Sequence, residues 1–505
     1  MPVGLLHGHR LAISVTVVTA GGHRFCGVLA GRGFNGFRDI GASRATGMQG
    51  RFFSNLRYTA IVRVWGLALA LAVALSLTGA SSPARAQDTW WEGMTGGGAR
   101  DNRTQRPDAE RPDHKPEALE DLRPDPTPWR SDVMVDAMGA AIEYYQKIVA
   151  SGGWPMVPAG RMMRAGDDDP RVPVLRKRLR ISGDLAAKSQ YYDSENFDAE
   201  LEAGVRRFQL RNGVRPTGRI EQSMYPVLNI TAAERLDQLK LNFDRLRALM
   251  GGGIEDRYVF VNVPAFQLEA VERHEVQLRH RVIVGRTERQ TPEVRATIKA
   301  LNFFPFWRVP DSVAMLDLVP RLQKEPEYLE NETIRVYNGY NGPELDPRQV
   351  DWRSPQVVNF KFKQDPGEKN ALGLVRIDMS NEFGVYMHDT PMKKLFEQRS
   401  RSFSAGCVRV QDVFQLAEWI ARHEVGWEQP GRVREVLNGG QALDLNLTRP
   451  LPVYFAYITA WAEPSTGKIE FRPDIYGRDG AAARGGSDRD PNEAPPPGAD
   501  KALAP

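Results

Sequence analysis

Apolar positions recur every three or four residues across 131–150, where Val133, Ala137, Ile142, Tyr145 and Ile148 mark one face of a predicted helix ended by G-G-W-P. The same period runs through 231–250 on Leu236, Leu239, Phe243, Leu246 and Met250. Between them, 172–230 predicts a small helical module. Val174, Leu175 and Leu179 line one short helix. In a second, capped by Asp198 and stopped by Gly213, Leu201, Val205 and Phe208 fall at i, i+4 and i+7. From 253 onward the texture changes to β-branched and aromatic runs at 258–263, 267–271, 279–285, 375–379, 384–388 and 453–458, which predict strands. Helical pieces and a Pro/Tyr/Asn-rich stretch at 311–365 read as an insertion laid over the β body. The predicted fold class is multidomain α+β: a mostly β sandwich or barrel with an inserted capping subdomain, preceded by a small three-helix module.

The remaining segments organise the chain around these bodies. Arg51, Arg57 and Arg63 precede an apolar stretch from Val64 to Leu77, and Ala84-Arg85-Ala86 offers a small-x-small cleavage site. That layout reads 48–86 as a signal peptide and predicts export, with an uncleaved inner-membrane anchor as the alternative. Residues 1–47, rich in Gly, Arg and His, read as an extension upstream of a more natural start at Met48. Residues 87–130, with R-P-D-A-E-R-P-D-H-K-P, read as a linker. Segments 131–171 and 231–252 form a helical scaffold around the 172–230 module, 253–462 is the β domain, and 463–505 is a C-terminal segment expected to lose order from about Gly480.

Composition narrows the function classes. With 67 basic and 63 acidic residues, the net charge of +4 gives no single-sign field, and nucleic acid is not an expected partner. Of two cysteines, Cys26 lies ahead of the signal, which leaves Cys407 alone in an exported chain. The compartment there is oxidising, so a single thiol flags either a reactive cysteine or an inert buried one.

The neighbours of Cys407 favour reactivity. The segment H-D-T-P-M-K-K-L-F-E-Q-R-S-R-S-F-S-A-G-C-V-R-V spans 388–410. A thiol attacking an amide needs a base, and the developing oxyanion needs donors. His388, ending an apolar strand, is the candidate general base for the nucleophile Cys407. Gly406 allows close backbone approach, and N–H groups around Gly406 and Cys407 are candidate oxyanion donors. Arg409 lies on the same side of a strand as Cys407 and is placed to stabilise the thiolate or bind a substrate carboxylate. Ser404 is the candidate for orienting His388. No metal-ligand spacing is present and no cofactor is called for. Taken singly, His388 reads as a strand-end histidine and Arg409 as a solvated charge.

As a string, these residues resemble the L,D-transpeptidase (YkuD-like) motif: a His, a spacer in the middle teens, then [S/T]-H-G-C-x-[N/R]. Here 15 residues separate His388 from Ser404, and Ala405 stands where many relatives carry His. The segments 285–292, 304–310, 318–322, 365–373, 388–396 and 458–479 look like the large periplasmic YcbB-type branch. In 172–230, Val205, Phe208, Gln209, Gly213 and Gly218 resemble a peptidoglycan-binding type 1 module, as a wall binder or as a spacer. The resemblance implies peptidoglycan stem peptides as partners, a tetrapeptide as acyl donor and a diaminopimelate amine as acceptor, with cell-wall synthases as further partners. It implies a Cys407 thioester, 3→3 cross-links, periplasmic location and acylation by carbapenems. Water as acceptor (an L,D-carboxypeptidase), attachment of an outer-membrane protein, or a non-catalytic wall-binding protein are its rivals. Among the aromatics near the insertion (Phe304, Phe306, Trp307, Tyr337, Tyr340), core packing is expected for most.

Overall fold

The computed structural model describes residues 121–186 and 193–480; the expectations for 1–47, for the signal at 48–86 and for the tail beyond Gly480 fall outside the described residues. Helix α1 (Asp132–Ala150) starts where the Ser131 hydroxyl accepts from Met134 N–H. Its buried stripe is Met134, Met138, Ala141, Tyr145 and Ile148. Val133, expected on that face, is 56% exposed, because the stripe begins one position later. Residues 121–130 also depart from the linker reading. Arg123, Trp129 and Arg130 are buried, and Arg123 pairs with Glu269 and Glu463. An arginine that looks solvated in sequence is here held by buried carboxylates and an aromatic ring.

The module that follows holds α2 (Val172–Ile181), α3 (Ala199–Arg211) and the short α4 (Tyr225–Leu228). Asp198 accepts from Leu201 N–H at the start of α3, and Gly213 follows the helix at φ +69°. Val205 and Phe208 are core. Gln209 is buried, donating to Arg219 carbonyl at 2.8 Å and accepting from Gly218 N–H at 2.8 Å. The motif residues thus hold the module's own loop together. Helix α5 (Ala232–Leu249) opens with a Thr231/Glu234 capping box. Its buried Asn242 receives Thr459 N–H and donates to the Thr459 hydroxyl, which fastens the helical region to the end of the β domain.

The β domain begins with β1 (Arg257–Asn262), β2 (Gln267–Glu272), β3 (Glu275–Gly285) and β4 (Val294–Phe303). The chain then leaves it for the cap: β5 (Trp307–Arg308), α6 (Asp311–Val313), α7 (Val319–Leu322), α8 (Tyr328–Asn331), β6 (Ile334–Asn338), β7 (Glu344–Leu345) and β8 (Phe360–Gln364). It returns through β9 (Val375–Ser380), β10 (Met387–His388), β11 (Ser402–Ser404), β12 (Val408–Val410), α9 (Val413–Ala421), α10 (Arg432–Gly439) and β13 (Leu443–Ala456). A final hairpin, β14 (Ala460–Ala462) and β15 (Ile469–Phe471), ends the elements.

The strand order β11-β3-β12-β10-β9-β4-β13-β1-β2, with β2 also paired to β3, closes the main sheet into a barrel with β11 added beside β3. Its interior is apolar, and α9 covers it with Leu416, Ala417 and Ile420. The cap is a four-stranded sheet, β5-β8-β6-β7, with its own core around Trp307, Leu318, Leu329, Val336 and Phe362. Among the aromatics expected to pack, Trp307 is buried, but Phe306 is 46% and Tyr340 76% exposed on the cap surface. The strand expected at 384–388 shortens to Met387–His388. The Asn381 side chain captures the N–H groups of Phe383 and Val385 and bends that stretch into a turn.

Candidate active site

Cys407 and His388 both lie close to Arg409 and Arg376 in the barrel wall. The short strands β10 and β12 run parallel, Met387 opposite Val408 and His388 opposite Arg409. Met387 and Val408 fill the apolar core, so the alternation turns His388 and Arg409 to the other face, whereas Cys407, just ahead of β12, packs with that core and has Tyr386 and Arg409 near its sulfur. The cap roofs this face, since Tyr386 and Ala405 pack against its core. Its Asp317 pairs with Arg289 and Arg286 of the β3–β4 loop.

His388 is fully buried. Its Nδ1 lies 2.5 Å from the Asp389 carbonyl oxygen, which can only accept, so Nδ1 carries the proton. Nε2 has no hydrogen-bond partner and is left with its lone pair, as a base requires. Burial, then the charge of Arg409, push the imidazole down to about 3. Asp389 is fixed in turn by Leu374 N–H at 3.0 Å and by Lys393. Gly373, at φ +61°, clears the space, for a Cβ there would sit 2.3 Å from the Asp389 carboxylate.

Burial raises the Cys407 thiol to about 11, against hydrogen bonds from Tyr386 and the nearby Arg409. Tyr386 lies two residues before His388, with its ring 5.7 Å from the imidazole. Its own ionisation is pushed well above the ordinary value, by burial first and then by the sulfur, so it stays a donor. Its place two residues before His388 was a legible signal for a cleft residue. Arg409 is buried without a carboxylate partner; its Nε is unpaired and its Nη1 reaches only the Met392 sulfur, at 3.9 Å. It lines a cavity of about 50 Å³ with Gln364, Thr390 and Met392. An uncompensated buried guanidinium is costly unless a ligand supplies the anion.

Two expected roles change. Ser404 does not orient His388: its hydroxyl donates to Cys407 carbonyl at 2.5 Å and accepts from Gly406 N–H at 3.1 Å, and the Asp389 carbonyl takes the orienting role instead. The Gly406 N–H is therefore occupied and is not an oxyanion donor. The Cys407 N–H has no partner among the described residues and remains available. Gly406 contributes its φ of +120°, which a side chain would strain. Sequence reasoning missed the clamp on the other side of this turn. The Thr291 hydroxyl, fully buried, accepts from Gly285 N–H and donates to Gly406 carbonyl, both at 2.8 Å. The Tyr476 phenol donates to Gly285 carbonyl at 2.6 Å and accepts from Thr291 N–H at 3.2 Å.

A buried thiol on a doubly clamped turn, sharing the neighbour Arg409 with a histidine that has a free ring nitrogen, is suited to nucleophilic acyl chemistry. Residues 256–435 match the L,D-transpeptidase catalytic domain, YkuD. That span contains Cys407, His388 and Arg409, and omits β13, which lies between β4 and β1 in the barrel. A Haemophilus influenzae protein named "Putative L,D-transpeptidase" is 32% identical over 245 residues, 48% of this chain and 48% of that protein. The chain thus spans about half the length of the curated relative it matches. Among solved structures, an L,D-transpeptidase from Stackebrandtia nassauensis is 13% identical, with a TM-score of 0.21 over 60% of this chain and 96% of that one. Another from Xylanimonas cellulosilytica is 12% identical, with a TM-score of 0.19 over 59% and 98%.

Proposed function

We propose that the chain is a peptidoglycan L,D-transpeptidase that forms 3→3 cross-links through a thioester on Cys407, acting outside the cytoplasm after export by the 48–86 signal. The observation that carries this reading is the His388 ring, protonated at Nδ1 by its bond to Asp389 carbonyl and open at Nε2, close to the Arg409 that also neighbours Cys407. With the thiol held up near 11 and the imidazole down near 3, the resting pair is neutral at pH 7. The proton then moves from sulfur to Nε2 as the carbon–sulfur bond forms, which is general-base attack rather than a standing ion pair.

In the first half-reaction the sulfur adds to the carbonyl between the third and fourth residues of a donor tetrapeptide. The oxyanion is stabilised by Cys407 N–H, with the Tyr386 phenol close by. Collapse breaks the carbon–nitrogen bond, and the D-Ala amine leaves with the proton from His388. In the second, the side-chain amine of an acceptor diaminopimelate attacks the thioester, gives its proton to Nε2 and expels the thiolate, which recovers that proton. Arg409, buried without an anion, is suited to a stem-peptide carboxylate.

The test is intact-protein mass after incubation with a carbapenem, followed by muropeptide analysis. An adduct of one drug molecule, absent in Cys407→Ala and nearly so in His388→Ala, is expected, as are 3→3 dimers from purified sacculi. Shortened stems without dimers would make water the acceptor. Coupling to a lysine amine of an outer-membrane protein would change the acceptor alone. No adduct from a folded chain would leave a non-catalytic wall binder.

A further inference from the structure

A cavity of about 670 Å³, in the range of ligand sites, opens where the helical module, the barrel and the C-terminal hairpin meet. Arg215 comes to it from the loop after α3, Arg399 and Arg401 from the approach to β11, and Arg472 from the end of β15. The carboxylates around it are largely spoken for. Asp121 holds Arg281 and Arg401, each at 2.6 Å, Glu463 holds Arg123, and Glu470 holds Arg472 at 3.1 Å. Glu221 also lines it.

Arg399 is left over. It is half-buried and makes no hydrogen bond or ion pair with any described residue; Asp121, already held by Arg281 and Arg401, attracts it from a distance, while Arg472, Arg401 and Arg215 lie close enough to repel its charge. Arg215, exposed, is likewise without a partner among the described residues. Repelling guanidinium groups gathered from separate elements around a water-filled space form a site that a planar, doubly negative-edged group completes. From Arg399, eight residues of chain lead to Cys407, so the two lie at most about 29 Å apart. A single extended ligand can reach both.

We propose that this cleft is an anion site for the free carboxylates of a peptidoglycan stem peptide, held by Arg399 and Arg215 and separate from the acyl-transfer site. The proposal rests on the functional reading above only for the identity of the ligand. It gives the helical module a role that its buried motif residues do not supply: the module forms one wall of the cleft, and its docking against Arg472 and Pro473 at Gly213 keeps that wall in place.

The experiment measures fluorescence anisotropy of a labelled soluble tetrapeptide stem on the full chain carrying Cys407→Ala, which prevents turnover. The double change Arg399→Gln and Arg215→Gln, at two side chains that bond to no described residue, is expected to weaken binding about tenfold or more. The same stem with its carboxylates amidated binds weakly and is insensitive to the double change. Equal affinity of parent and double variant overturns the proposal, as does equal loss for the amidated stem, or no binding to the parent up to about 1 mM. Carbapenem acylation of otherwise native chains is run in parallel. A double variant that acylates normally but loses stem binding supports a separate cleft. An unmodified wild-type Cys407 would instead remove the functional reading and leave the binding result to be judged on its own.

Discussion

Replacing Thr291 by Val tests the argument about how the nucleophile is held. Valine matches the shape of threonine and keeps the packing, but it removes the hydroxyl that serves Gly285 N–H and Gly406 carbonyl at 2.8 Å each. Both groups are shut away from water with the side chain, so each lost partner costs about 1–3 kcal/mol, roughly 2–6 kcal/mol together. For a folded body of this size that is a fall in melting temperature of about 5 °C. The turn carrying Cys407 keeps its Ser404 clamp but loses the other. Attack geometry tolerates little slack, so acylation by a carbapenem should slow by about tenfold to a hundredfold. Thermal unfolding and time-resolved intact mass on the same preparations give both numbers. Thr291→Ser restores the hydroxyl, gives up one methyl group, and should recover most of the rate. Parental rate and melting temperature in Thr291→Val would refute the clamp; a serine variant as slow as the valine one would reassign the effect to the methyl group.

Gly373→Ala forces a Cβ against the Asp389 carboxylate at a φ of +61°, so Asp389 and the carbonyl that orients His388 must shift. Acylation should fall with the fold retained, and circular dichroism beside the mass assay would separate the two. Arg409→Met removes a buried charge that lacks a carboxylate partner, so stability should hold or rise while acylation by stem substrate falls; lower stability at normal turnover would contradict this. His280 is buried and its imidazole is pushed down to about 4, chiefly by desolvation. The unfolded chain then binds the extra proton between about pH 6.5 and 4, so stability is full above that window and is lost as pH falls through it. From pH 7 to 5 this amounts to about 2 kcal/mol, which His280→Phe should abolish in urea titrations. An unchanged pH slope would show that His280 is not the group responsible.

The parts of this fold readable in sequence are those whose pattern is local. Alternation and β-branching marked β1, β2 and β9, while Asp198 and Gly213 marked the ends of α3. Cys407, His388 and Arg409 could be singled out because they are close in the chain and of distinctive chemistry. What escaped depends on contacts between distant segments. Thr291 and Tyr476 bear on Cys407 only once β3, the 404–407 turn and the C-terminal segment are in place. Arg123 looks like linker charge until Glu269 and Glu463, both remote in sequence, close around it. Ser404 was misassigned for the opposite reason: a nearer pair of backbone groups claims its hydroxyl before His388 can.

Tyr476 lies 69 residues beyond Cys407, yet its phenol steadies the loop that grips the nucleophile turn. Strand β13, which joins β4 to β1, is also made after the cysteine. A ribosome therefore releases the thiol well before it releases the parts that aim it. During synthesis the growing chain carries a cysteine with neither a finished wall behind it nor a fixed turn beneath it. The hold on that turn is complete only when the last strand and the tyrosine emerge. Chains truncated anywhere between the two would hold Cys407, His388 and Arg409 without the parts that position them.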